Sequence, residues 1–109
     1  MRSLVTGGAG FIGSNLVDLL IKKKHQVIVL DNFSTGRKIN LKGHSKRSLK
    51  IINIDISKNK NMYKYFHKVD YVFHLAGLAD IVPSIENPKK YFTSNVVGTF
   101  NVIKEAEKA

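Results

Sequence analysis

The chain has no cysteine among its 109 residues, which excludes a disulfide framework, a thiolate zinc site and a cysteine nucleophile together. Acids are scarce: eight Asp and Glu stand against eighteen Lys and Arg, a formal charge of +10. No stretch approaches the roughly 20 apolar residues of a membrane-spanning helix, and the apolar run at the start is far too short for a secretory signal. A soluble, cytoplasmic protein without membrane contact is therefore expected. The four histidines show no metal-ligand spacing, and no repeat or low-complexity segment appears. The length allows one domain, and 43% hydrophobic residues suffice for a packed core.

The positive charge is mostly lysine, spread along the chain. One acid-free stretch, Arg37 to Lys50, holds Arg37, Lys38, Lys42, Lys46, Arg47 and Lys50 around His44. It lacks interleaved aromatics. The nucleic-acid reading it supports is a salt-sensitive, sequence-blind phosphate contact, and ordinary surface lysine enrichment accounts for the same residues. No nucleic-acid partner is assigned.

Ser3 to Thr6 is a short apolar run that ends in glycines, which predicts a buried strand and a turn. Phe11, Ile12, Leu16, Leu19 and Leu20 recur with helical spacing, predicting a helix over 11–24 that closes on three lysines suited to a helix C-terminus. Gln26 to Asp31, rich in β-branched residues, reads as a second strand of a sheet buried on both faces. Asn32 to Ser48 reads as a loop. A third strand is predicted over 49–56, then a Ser57 cap and a helix over 61–68, and a fourth strand over 69–75. Pro83 and Pro88 bracket a predicted loop, and Asn87-Pro88 caps a last helix running to Lys108. Its face carries Phe92, Val96, Thr99, Val102, Ile103 and Ala106. This alternation predicts an α/β fold, a Rossmann-type doubly wound parallel sheet in three layers, α/β/α, with about four strands.

Gly8-Ala9-Gly10-Phe11-Ile12-Gly13 satisfies G-x-G-x-x-G, preceded by Thr6-Gly7. Its context is informative: a predicted strand leads in, a predicted helix leads out, and Asp31 closes the next strand. Such glycines let backbone N–H groups approach a pyrophosphate at the positive end of the helix. Asp31 can accept hydrogen bonds from both hydroxyls of an adenosine ribose and repels a 2′-phosphate, which favours NAD over NADP. Arg37 and Lys38 keep NADP as an alternative. A glycine-rich turn with a capping Asp is the purely structural reading of the same residues.

With Leu30-Asp31-Asn32-Phe33-Ser34-Thr35-Gly36 added, the pattern resembles the extended short-chain dehydrogenase/reductase family. It is most similar to the NAD-dependent nucleotide-sugar epimerases and dehydratases of the UDP-glucose 4-epimerase type. Asp55-Ile56, Phe73-His74-Leu75-Ala76-Gly77-Leu78, Ser84 to Pro88, and Tyr91 with Asn95-Val96-Val97-Gly98-Thr99 match further family motifs in order. The resemblance implies that Gly7, Gly10, Phe11, Ile12 and Gly13 cradle the pyrophosphate of NAD. It puts Asp31, Asn32, Ser34, Thr35 and Gly36 at the adenosine, Asp55 and Ile56 beside adenine, and Leu75, Ala76 and Gly77 at the nicotinamide half. Asn95 is implied near the active site, although a polar residue within a helix can simply be solvated or bend it. Asp55 also reads as an acid leading a helix, His74 as a satisfied structural histidine, and Tyr91 and Phe92 as core or interface aromatics. Where the 4-epimerase pattern often has a lysine, this chain has Ala79.

The family's chemistry needs a Tyr-x-x-x-Lys pair, in which lysine lowers the tyrosine pKa so that a sugar hydroxyl proton can leave as hydride passes to NAD. Four residues after Tyr63, Tyr65, Tyr71 and Tyr91 stand His67, Val69, Leu75 and Asn95. The expectation is thus an N-terminal NAD(P)-binding portion over residues 1–109, with the catalytic Tyr-x-x-x-Lys segment and the substrate domain absent and no catalytic residue of its own. The function implied is NAD-dependent epimerisation of a nucleotide sugar, with the complete enzyme a homodimer through its last helix. The alternatives are a dehydratase, decarboxylase or reductase of the same family, or a non-catalytic dinucleotide-binding fragment. By itself the chain is expected to hold NAD weakly and to leave sugar nucleotides unchanged.

Overall fold

The computed structural model describes residues 1–58 and 61–109. Four strands, β1 (Arg2–Thr6), β2 (Gln26–Asp31), β3 (Leu49–Asn53) and β4 (Tyr71–His74), form one sheet in the order β3-β2-β1-β4. Every pairing is parallel. Register puts Val5, Val29 and Ile51 in one row and Leu4, Ile28 and Lys50 in the adjacent row, so alternate residues serve opposite faces. On one face Val5, Val27, Val29 and Leu49 pack against Val17 and Leu20 of helix α1 (Phe11–Lys22). On the other, Leu4 and Leu30 meet Met62 and Phe66 around α2 (Tyr63–Phe66) and Val102 of α5 (Gly98–Lys108). The expected three-layer α/β/α arrangement results.

Several boundaries differ from the sequence reading, each for a local reason. Helix α1 stops at Lys22 because Lys24 turns left-handed, φ 68°. There the His25 N–H reaches the Leu20 carbonyl and the Lys24 N–H that of Ile21, a Schellman closure with lysine where glycine is favoured. Lys24→Gly is expected to raise stability by about 0.5–1 kcal/mol, read as a higher urea midpoint at unchanged slope; a lower midpoint would refute it.

Strand β3 ends at Asn53 rather than Ile56 because Asp55 diverts the chain. One of its carboxylate oxygens accepts the Ser57 N–H at 2.9 Å and the Ser57 hydroxyl at 2.6 Å, so Ser57 leans back on Asp55 instead of capping a helix. Asn59 and Lys60 lie outside the described residues. The helix expected over 61–68 is the single turn of α2, closed where His67 turns extended and Lys68 left-handed. Strand β4 is shorter than predicted at both ends, with Val69 bonded back to Phe66. The loop expected over Asn32 to Ser48 contains a 3₁₀ turn, Lys38–Leu41, that buries Leu41.

The segment read as a loop between the prolines is a helix, α3 (Ile81–Glu86). Pro83 is its third residue, in the first turn, where a missing N–H costs nothing. Asn87 then caps α4 (Pro88–Phe92) by accepting the Lys90 N–H, as expected. The last helix is continuous in path but not in pitch: a π turn over Thr93–Val97 separates α4 from α5.

Candidate functional site

A cleft of about 410 Å³ opens at the carboxyl ends of all four strands. It lies at the switch point between β1 and β4, where the chain changes its direction of travel across the sheet and where open α/β sheets bind ligands. Gly7, Gly10, Phe11, Ile12 and Gly13 line it from β1 and α1, with Asp31, Asn32, Ser34, Thr35 and Gly36 after β2. Asp55 and Ile56 follow from β3, and Leu75, Ala76 and Gly77 from β4. Of the residues that the resemblance placed at the cofactor or near the active site, all but Asn95 therefore border one cleft. Among the described residues no group of His, Asp or Glu is arranged to hold a metal ion.

Gly7 and Gly13 leave no room for a side chain against backbone atoms. Gly7 has φ 69°, and a Cβ there would sit 2.7 Å from the Ala76 nitrogen. At Gly13 a Cβ would overlap the Gly7 carbonyl oxygen, so this residue sets how closely α1 approaches β1. The start of α1 has no side-chain cap and no acid in its first turn. Its unpaired N–H groups and positive dipole end therefore face the cleft without a protein anion.

Asp31 is almost buried, 8% exposed. One of its oxygens accepts the Ala9 N–H at 2.9 Å and the other the Phe33 N–H at 2.8 Å. It thus ties the glycine loop to the end of β2, and each oxygen keeps a lone pair for a further donor. The Ala9 carbonyl in turn accepts from the Arg37 N–H and the Asn40 side chain. Arg37 and Lys38 do not line the cleft; the Lys38 ammonium stands 5.5 Å from the Phe33 ring centre.

Asn95 stands behind the wall. Its amide oxygen accepts the Leu78 N–H at 2.8 Å and its amide nitrogen donates to the Leu78 carbonyl at 2.9 Å. The π turn brings it there, and the clasp fixes the strand-end segment that lines the cleft. On the β3 side, Asn101 of α5 donates to the Ile56 carbonyl at 2.8 Å. Asn40 and Asn101 escaped the sequence reading because a lone Asn in a loop or on a helix face is indistinguishable from a solvated one. Leu30, Ile54, Leu78, Ala79 and Ser94 complete the lining.

A polar chain behind the cleft has its protons fixed by elimination. The Thr99 hydroxyl donates to the Asn95 carbonyl at 2.5 Å, so its oxygen must accept from His74 Nε2 at 2.7 Å. His74 Nδ1 is then an acceptor, met by the Thr6 hydroxyl at 2.6 Å, and the Thr6 oxygen accepts the Leu75 and Ala76 N–H groups at 3.1 Å each. This network requires neutral His74, and burial lowers its pKa below the ordinary value. It is satisfied structurally, as expected.

The sign of the resulting pH dependence follows. Between the lowered folded pKa and the ordinary one, the unfolded chain binds more protons, so stability falls as pH drops through about 6.5 and levels off below the folded pKa. The urea midpoint should decline between pH 7.5 and 5.5 less steeply in His74→Gln than in the unmodified chain. Equal slopes would exclude His74 as the source.

Residues 3–109 match the model of the NAD dependent epimerase/dehydratase family. The chain is 44% identical over 112 residues to UDP-glucuronic acid decarboxylase 6 of Arabidopsis thaliana, covering 99% of this chain and 31% of that protein. Among solved structures, UDP-N-acetylglucosamine 4-epimerase from Methanobrevibacter ruminantium, in complex with UDP-N-acetylmuramic acid, superimposes with a TM-score of 0.90 at 36% identity. That match covers 98% of this chain and 34% of the epimerase. The UDP-glucose 4-epimerase of Thermus thermophilus, in complex with NAD, gives a TM-score of 0.86 at 33% identity over 99% of this chain and 34% of its own. The chain thus spans about a third of the length of these relatives. Among the described residues no helix is long and apolar enough to cross a membrane. With the glycine loop, the acid after β2 and the β4 strand end gathered at one switch point, and with the family model matched over residues 3–109, the chain belongs to the NAD-dependent epimerase/dehydratase family.

Proposed function

We propose that this chain is the NAD-holding portion of a nucleotide-sugar epimerase. The observation that carries the reading is the single cleft joining the uncapped start of α1, the Asp31 carboxylate and the Leu75–Gly77 backbone across the switch point. The residues fit the cofactor. The first-turn N–H groups of α1 suit a pyrophosphate, which the two glycines admit to close backbone approach. The free lone pairs of Asp31 suit ribose hydroxyls, and Asp55 with Ile56 borders the space for adenine. When bound, NAD would supply hydride acceptance from a sugar carbon and its return. What this chain contributes is binding and orientation: no tyrosine is followed four residues later by lysine, so turnover of a sugar nucleotide requires groups outside residues 1–109.

A decarboxylase is the second reading. The Arabidopsis relative supports it, as does Ala79 on the cleft wall, where the 4-epimerase pattern often carries lysine. Homodimerisation of the complete enzyme rests on Phe92, Val96, Phe100 and Ile103, which recur three to four residues apart and are each more than half exposed along α4, the π turn and α5. Calorimetric titration tests the central reading. NAD should bind, NADP should compete at least about tenfold more weakly because a 2′-phosphate meets Asp31, and Asp31→Asn should narrow that gap. A folded chain that binds neither nucleotide would sink it.

A further inference from the structure

The opposite end of the sheet carries a second concave surface. Arg2 of β1 and Gln26 of β2 are register partners, and Lys50 of β3 pairs with Ile28, two residues along from Gln26. Alternation along parallel strands puts all of these on the α2 face of the sheet, at the end that the single turn of α2 leaves open. Lys64 and His67 descend from α2, while Lys46 and Arg47 lead into β3. Together they border a cleft of about 290 Å³ whose wall includes no acidic residue.

None of its five permanent cations, Arg2, Lys46, Arg47, Lys50 and Lys64, is ion-paired with a carboxylate among the described residues. Asp70 accepts the Arg2 backbone N–H at 2.8 Å and does not line the cleft. Strand register places Arg2 and Lys50, and α2 carries Lys64, so the cluster is not a chance of loop conformation alone. Like charges held side by side oppose folding when nothing neutralises them. An anion with several charges in a row would relieve that repulsion, and an isolated carboxylate would not.

We propose that this cleft is an oligophosphate site, taking a ligand with three or more consecutive phosphate groups, separate from the cleft that receives NAD. Its ligand is a free oligophosphate; the phosphodiester backbone of a nucleic acid strand, whose singly charged phosphates are spaced apart by sugars, is the competing source of negative charge that the test separates. Salt screens each phosphate contact made by a lysine or arginine, and on a nucleic acid strand condensed counterions are released as well, so affinity falls with salt.

The test uses the full chain with inorganic tripolyphosphate, followed by calorimetry and thermal unfolding at low salt. Binding should raise the unfolding midpoint. Lys50→Gln with Lys64→Gln should weaken binding about tenfold and make the remaining affinity less sensitive to salt. Lys23→Gln with Lys42→Gln, which removes the same charge from exposed positions outside the cleft, should change affinity by less than about twofold. Equal losses in both pairs would reduce the effect to net charge and overturn the site, as would undiminished binding in the Lys50 and Lys64 pair. Added NAD should leave tripolyphosphate affinity unchanged, and displacement by NAD would place the ion in the other cleft and overturn the proposal. A single-stranded oligonucleotide that competes, with the same variant dependence, identifies a strand as the source; tripolyphosphate binding without such competition identifies a free oligophosphate.

Discussion

Phe11→Asp is expected to strengthen the fold and to abolish NAD binding in the same molecule. Phe11 opens α1 and is 83% exposed, so its removal costs no core packing. An aspartate in that first turn faces the positive end of the helix dipole and should add about 0.5 kcal/mol of stability. The same carboxylate would occupy the place proposed for the pyrophosphate. Repulsion between charges a few ångströms apart at the protein surface reaches a few kcal/mol, so affinity for NAD should fall on the order of 100-fold. Stability and binding thus move in opposite directions, which separates loss of the site from loss of the fold. NAD affinity within about threefold of the unmodified chain, measured by calorimetry on a variant with an unchanged or raised urea midpoint, would remove the start of α1 from the binding site.

Gly13→Ala should act through packing instead. The added methyl overlaps the Gly7 carbonyl oxygen, with Gly8 Cα at 2.9 Å behind it. Both are backbone atoms in the turn that Asp31 and Ala9 hold together, so no flexible side chain can yield. Either α1 lifts away from β1, opening the contact of Val17 with Val5 and Val29, or the glycine loop distorts. A loss of about 3 kcal/mol is expected, at the upper end for overpacking, and it should appear as a lower urea midpoint together with lost NAD binding. Gly43→Ala is the control for glycine loss: its Cβ meets no atom within 4 Å, although its φ of 95° adds strain, so the cost should be smaller and NAD binding retained. A Gly13→Ala protein as stable as the unmodified chain would show that α1 is not seated by this contact.

The first third of the chain was legible because its signals are backbone requirements. Glycines fix the turn before α1, and consecutive β-branched residues fix β2, whose bounds agree with the reading at both ends. The middle was less so. Asp55 ends β3 by giving Ser57 a side-chain acceptor, a competition between side chain and backbone that hydrophobic patterning does not register. Pro83 was read as one edge of a loop although its position in a first turn made it harmless to a helix. The π turn was invisible because apolar spacing continues through it; only the pairing of Asn95 with Leu78 reveals why the pitch changes. For the site, residues on strand ends and the glycine loop could be found from motif and order. The groups that brace it from behind, Asn40, Asn101 and the Thr6–His74–Thr99 chain, could not, since their roles depend on contacts between distant segments.

The strand order also dictates a sequence of events in time. Partners in β1 and β2 lie 24 residues apart and those in β2 and β3 lie 22 apart, whereas Ser3 and Tyr71, partners in β1 and β4, are separated by 68. Closing the longer loop costs about 0.9 kcal/mol more chain entropy than closing the 24-residue one, and among the described residues β4 pairs with β1 alone. This difference favours pairing of β3, β2 and β1 before β4 docks. A chain that folds in that order completes the Asp31 side of the cleft first, and Leu75, Ala76 and Gly77 close the other side last.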